Sequence, residues 1–100
     1  MGQRVADFVV RRRPFGPKVV VRVDLHGISS FGPGDARTLI RWEWIEDIAV
    51  DDGVVVRSSR DRVALPAGAF GLAPETLAER LEAARSIVHR TDVIAELNGR

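Results

Sequence analysis

The sequence has no cysteine and a single lysine, Lys18, and it contains no long hydrophobic run. The missing cysteines exclude disulfides, thiolate metal sites and a cysteine nucleophile, and they are compatible with a reducing compartment. No segment approaches the ~18 consecutive apolar residues of a membrane span. The first ten residues contain Asp7 and no apolar stretch long enough for a signal-peptide core. The expected location is therefore the cytoplasm, with peripheral contact at the inner membrane face as a second possibility.

What is present is ordinary for a globular domain: 100 residues, 45% hydrophobic and 29% charged. A chain of this length buries roughly 60 to 70% of its unfolded surface on folding, enough for one modest core. We read residues 1–100 as one domain. Net charge is only +1, but it is unevenly placed. Before residue 23, Arg4, Arg11, Arg12, Arg13, Lys18 and Arg22 face one acid, Asp7. Such a concentration fits an anionic partner at the first hairpin, or a solvated loop whose arginines meet acids from later strands.

Hydrophobic periodicity predicts a chain of short strands. Val5 to Arg12 reads as the first, interrupted by Pro14-Phe15-Gly16-Pro17. Lys18 to Asp24 alternates strictly, with Val19, Val21 and Val23 on a core face and Lys18, Val20, Arg22 and Asp24 on the other. His26-Gly27 breaks the chain before a short strand at Ile28 to Phe31. After the Gly32-Pro33-Gly34-Asp35 turn, Arg37 to Trp44 reads as a strand with Ile40, Trp42 and Trp44 on one face. Ile45 to Val50 leads to Asp51-Asp52-Gly53, a signal for a two-residue hairpin. Val54 to Val56 returns, Ser58-Ser59-Arg60-Asp61 turns again, and Val63 to Leu65 stops at Pro66.

The period then changes. Pro74 suits a helix's first turn and Glu75 its positive end, and Leu77, Leu81, Ala84 and Val88 form an apolar stripe. One amphipathic helix is expected over about 74–89, either extended toward residue 97 or followed by a short helix capped by Thr91-Asp92. A continuous helix to Leu97 would run ~36 Å, more than a small sheet can cover. Val93, Ile94 and Leu97 therefore need a surface: a contact between copies in a homo-oligomer, or docking or fraying within one chain.

The stretch Ile40 to Arg57, then Arg62-Val63-Ala64-Leu65-Pro66 and Phe70-Gly71, resembles the small bacterial PH-like (pleckstrin-homology-like) domains. The resemblance lies in Trp44, Asp47, Ile48, Asp52, Gly53, Leu65, Pro66, Phe70 and Gly71. It implies a mainly β fold (α+β by count): a PH-like barrel of about seven antiparallel strands capped by the C-terminal helix. It also implies a binding or assembly module rather than an enzyme, with no cofactor. Basic residues on the first two strands of eukaryotic PH domains hold inositol phosphates, and Arg11, Arg12, Arg13, Lys18 and Arg22 occupy that region here. The family's Lys/Arg-x-Arg step is missing, because three valines separate Lys18 from Arg22.

The leading functional expectation is an adaptor that binds another protein or itself, using apolar residues left after the core is filled: Phe15, Val20, Val93, Ile94 and Leu97. The second is an anionic lipid headgroup, or another polyanion, held by the basic first hairpin. Nucleic acid is disfavoured: Arg11-Arg12-Arg13 with Phe15 nearby mimics a basic patch beside a stacking ring, but the charge is near neutral and a single aromatic on a Pro/Gly loop is too little to support it. Catalysis has little to rest on. His26 and His89 stand at no metal spacing, and Ser29, Ser30, Ser58 and Ser59 lack a nucleophile elbow. Glu43, Glu46 and Asp47 read more simply as solvated strand-end charges than as an acid–base pair.

Overall fold

A computed structural model describes residues 5–11, 18–34 and 36–99. The strands are β1 (Val5–Arg11), β2 (Lys18–Asp24), β3 (Gly27–Phe31), β4 (Arg37–Arg41), β5 (Asp47–Val50), β6 (Val54–Arg57) and β7 (Arg62–Leu65). They form two antiparallel sheets, of order β1-β2-β3-β4 and β5-β6-β7. Two helices follow, α1 (Pro74–Ala84) and α2 (Ile87–Asn98). The fold is thus a small α+β arrangement. Among the described residues no ladder joins one sheet to the other, so hydrogen-bonded closure into a barrel is not seen.

Alternation decides which face each strand buries. Val21 and Val23 of β2, Ile28 of β3 and Ile40 of β4 are fully covered, as are Val54, Val56, Val63 and Leu65 of the second sheet. These inner faces meet each other and the helices in one core. Each fully buried aliphatic side chain contributes ~1.5–3 kcal/mol relative to exposure.

Several local expectations change. β4 ends at Arg41, and Trp42–Trp44 forms a turn of 3-10 helix, so the two tryptophans do not share a strand face. Trp42 is 2% exposed, with its indole Nε1–H donating to the Asp24 carbonyl at 2.8 Å, whereas Trp44 is 54% exposed. The β5–β6 loop has three residues, because Val50 pairs directly with Val54. Gly53 is required there by proximity rather than by a positive φ: a Cβ would collide with the Leu65 carbonyl oxygen. Gly27 answers the same constraint against the Ile40 carbonyl.

The link from β7 to α1 holds the main backbone surprise. Phe70 adopts φ 57°, between Gly68 at 86° and Gly71 at 74°. A left-handed residue with a side chain costs roughly 1–2 kcal/mol. Burial of the Phe70 ring against Phe8, with centroids 5.5 Å apart, offsets that strain and ties the link to β1.

The C-terminal region contains two helices separated at Arg85-Ser86, where Ser86 is extended (φ −82°, ψ 127°). The second begins at Ile87, ahead of the Thr91-Asp92 pair expected to cap it. The break leaves Val88 76% exposed, so the stripe ends at Ala84. It also turns α2 back onto the domain, where it packs against β1 and α1. Val93, Ile94 and Leu97 are 4%, 0% and 2% exposed. They belong to the core of the single chain, so they offer no surface for the expected contact between copies.

Candidate functional site

Each free edge of the sheets has a neighbour. α2 packs along β1, α1 along β5, and β7 runs close to β4. Among the described residues no strand or helix packs on the outer face of the four-stranded sheet around Val9 and Val20, although Ser29 on that face is itself buried. Its rows follow from the register: Val9, Val20, Phe31 and Arg37 lie side by side across the strands, and Asp7, Arg22, Ser29 and Leu39 form the adjoining row. Beyond them, Val5 stands opposite Asp24 and Gly27 opposite Arg41. Arg11 is paired in register with Lys18 at the other end.

The face is apolar in the middle and cationic around it. Val9 is 49% exposed, and Val20, Phe31 and Leu39 are half-buried. The Arg22 and Arg37 guanidiniums lie 5.0 and 5.2 Å from the Phe31 ring centroid, within cation–π range. Arg22 also donates from Nε to Asp7 Oδ1 at 2.8 Å and from its terminal nitrogen to Oδ2 at 3.1 Å. That two-pronged pairing makes Arg22 harder to deprotonate than an ordinary arginine: the Asp7 hydrogen bond raises its pKa, against a partial opposing effect of burial.

Among the described side chains, four cations (Lys18, Arg22, Arg37 and Arg41) thus share the face with two acids, Asp7 and Asp24. Both acids are engaged. Asp7 holds Arg22, and Asp24 Oδ1 accepts from the His26 and Gly27 backbone N–H groups at 2.8 and 3.1 Å. Among the described residues neither Lys18 nor Arg37 has an ion-pair partner.

The structure brings together only part of the residue set singled out in the sequence. Val20, Lys18 and Arg22 share the outer face, and Arg22 is occupied by Asp7. Arg12, Arg13 and Phe15 lie outside the described residues. Val9, Phe31, Leu39 and Arg37 were not singled out; alternation within β1, β3 and β4 assigns each to a face, but only the register between strands sets them in rows with Val20 and its neighbours.

Other sites offer less. A cleft between the sheets near the start of β2 has an apolar floor including Phe8, Val10 and Leu65, with Lys18 and Arg62 also in its lining. Trp44 borders a smaller hollow against the Ser58–Asp61 turn, and the Arg41 guanidinium lies 5.5 Å from its ring centroid. Glu43 and Asp47 sit near Arg41 and Arg57, at 3.9 and 3.6 Å. Among the described residues no group of three or more His, Asp and Glu is placed to hold a metal ion. No helix among them is long and apolar enough to cross a membrane.

Comparison with known proteins adds no identity: no family model, no curated protein and no solved structure matches the chain.

Proposed function

We propose that this chain is a non-enzymatic, PH-like protein-binding module that works without a cofactor and uses the outer face of its four-stranded sheet. Seven antiparallel strands followed by a C-terminal helical segment is the order that the PH-like resemblance implies, and that order supports the kinship. The observation that carries the binding reading is the Val9–Val20–Phe31 row, an apolar strip on a sheet face that no strand or helix among the described residues covers.

Site-specific photo-crosslinking tests it. A photoreactive residue at Val20 should yield adducts with another polypeptide in the native cell, and one at the exposed Ala64 of the second sheet should not. Equal adducts from both positions, or none from Val20, would remove the reading.

The runner-up is peripheral binding of anionic headgroups, or another polyanion, by the basic first hairpin. Lys18 supports it, being exposed and without an acid partner among the described residues. Arg22 does not, because Asp7 already occupies its guanidinium. Salt-sensitive binding to phosphatidylglycerol vesicles, lost in an Arg11/Arg12/Arg13→Ala variant, is the result this alternative requires.

A further inference from the structure

The geometry of the outer sheet face points to the chemistry of its partner. We infer that it receives an acidic amphipathic helix of another polypeptide, an inference that rests on the protein-binding reading above. Three observations converge on that occupant.

The first is spacing. Val9, Val20 and Phe31 are register neighbours on three adjacent strands, and strands lie ~4.8 Å apart. One turn of α-helix rises ~5.4 Å, so aliphatic residues repeating at three- and four-residue intervals meet such a row side by side.

The second is charge. Arg37 ends the row, while Lys18 and Arg22 flank Val20 on either side along β2. With Asp7 and Asp24 already engaged, the face has a cation surplus. Carboxylates on the flanks of a helix would meet that surplus, whereas a second copy of the same face would bring like charges together.

The third is relief. Of the apolar residues in the row only Val9 is exposed, at 49%, and Phe31 lies beside two guanidiniums. Two half-buried apolar side chains, Val20 and Phe31, suit a rigid polypeptide surface and not a wedge into a bilayer, which needs protruding apolar groups.

The probe is a fluorescein-labelled synthetic peptide with leucines at one-turn intervals, glutamates on both flanks and alanine elsewhere. Its affinity for the full chain is read by anisotropy, beside a control with lysine for glutamate and another with scattered leucines. Both controls should bind at least about tenfold more weakly, and Arg37→Glu and Lys18→Glu should each weaken the acidic peptide by about tenfold or more. These two side chains are exposed, and the circular dichroism of each variant checks the fold.

Equal binding of the acidic and scattered peptides, or no loss in either charge-reversal variant, overturns the inference. So does binding to phosphatidylglycerol vesicles that Arg37→Glu abolishes while the peptide fails to bind. Val20 adducts combined with peptide failure would reject the acidic helix and keep the protein-binding reading. Loss of the adducts would reject both.

Discussion

The Arg90 guanidinium lies 4.9 Å from the centroid of the buried Trp42 ring while donating to the carbonyls of Ala84 and Arg85 at 2.9 and 3.0 Å. One side chain of α2 thereby satisfies two terminal carbonyls at the end of α1 and covers the indole that anchors the β4–β5 connection. Replacing it with alanine should lower unfolding free energy by about 2 kcal/mol, from lost charged hydrogen bonds and cation–π contact. Arg90→Lys should recover only part, because an ammonium cannot reproduce the planar fork. Urea unfolding followed by tryptophan fluorescence measures both; an unchanged midpoint in the alanine variant would show that the clasp contributes nothing.

Separation of the helices at Ser86 sets a contrast between two positions of the sequence stripe. Leu81→Ala should cost about 2–5 kcal/mol, and Val88→Ser should stay within about 0.5 kcal/mol of the parent. Leu81 is 0% exposed and Val88 76%. Comparable losses at the two sites would favour one continuous amphipathic helix.

The buried side of α2 makes Val93, Ile94 and Leu97 part of the folding unit. Ile94→Ala should lower stability by about 2–5 kcal/mol. Deleting 91–100, which includes Val93, Ile94 and Leu97, should give an unfolded or aggregated chain. Circular dichroism and size-exclusion chromatography would read the result, and a well-folded truncated monomer would contradict this role for α2.

Gly53 lies where the β5–β6 loop crosses the end of β7. Gly53→Ala should displace that loop and cost more than about 2 kcal/mol, since the new methyl would meet backbone with no flexible side chain to yield. Thermal unfolding against Gly34→Ala separates the two kinds of glycine. Gly34 has open space but φ 68°, so its cost should be nearer 1 kcal/mol.

The Asp7–Arg22 pair should contribute less than about 1 kcal/mol, because its side chains are 40% and 39% exposed and solvent screens them. Its pH signature follows from the raised Arg22 pKa. A cation whose folded pKa is raised gives stability that is full below its unfolded pKa and lost only as pH rises through the folded value, far above neutrality for an arginine. The Arg22 contribution should therefore be constant from about pH 6 to 9. A double-mutant cycle with Asp7→Asn and Arg22→Met, run at low and high salt, measures it; a coupling that collapses within that pH window would contradict the assignment.

The parts of the fold legible in the sequence were those governed by local periodicity and turn chemistry. Strict alternation in Lys18–Asp24 placed Val21 and Val23 inside, Pro74 marked the start of α1, and Ser58–Asp61 turned as expected, its Ser58 N–H donating to the Asp61 carbonyl at 2.9 Å. What escaped depended on partners distant in sequence. The two tryptophans diverge because Trp42 reaches back to Asp24, the helix break is stabilised by Arg90, and Phe70 turns left-handed to meet Phe8. For the candidate site, Val20, Lys18 and Arg22 were readable from one strand. Adding Val9, Phe31 and Arg37 required the register between strands, which no single strand encodes.

Within each sheet, every ladder joins strands that are consecutive in the chain. During synthesis each hairpin can close as its second strand leaves the ribosome, with no need to wait for a distant partner. The helices come last, and their side chains cover the floor of both sheets. A nascent chain halted before residue 74 would therefore hold finished strand pairs over a bare aliphatic surface, prone to aggregation until α1 and α2 emerge to cover it.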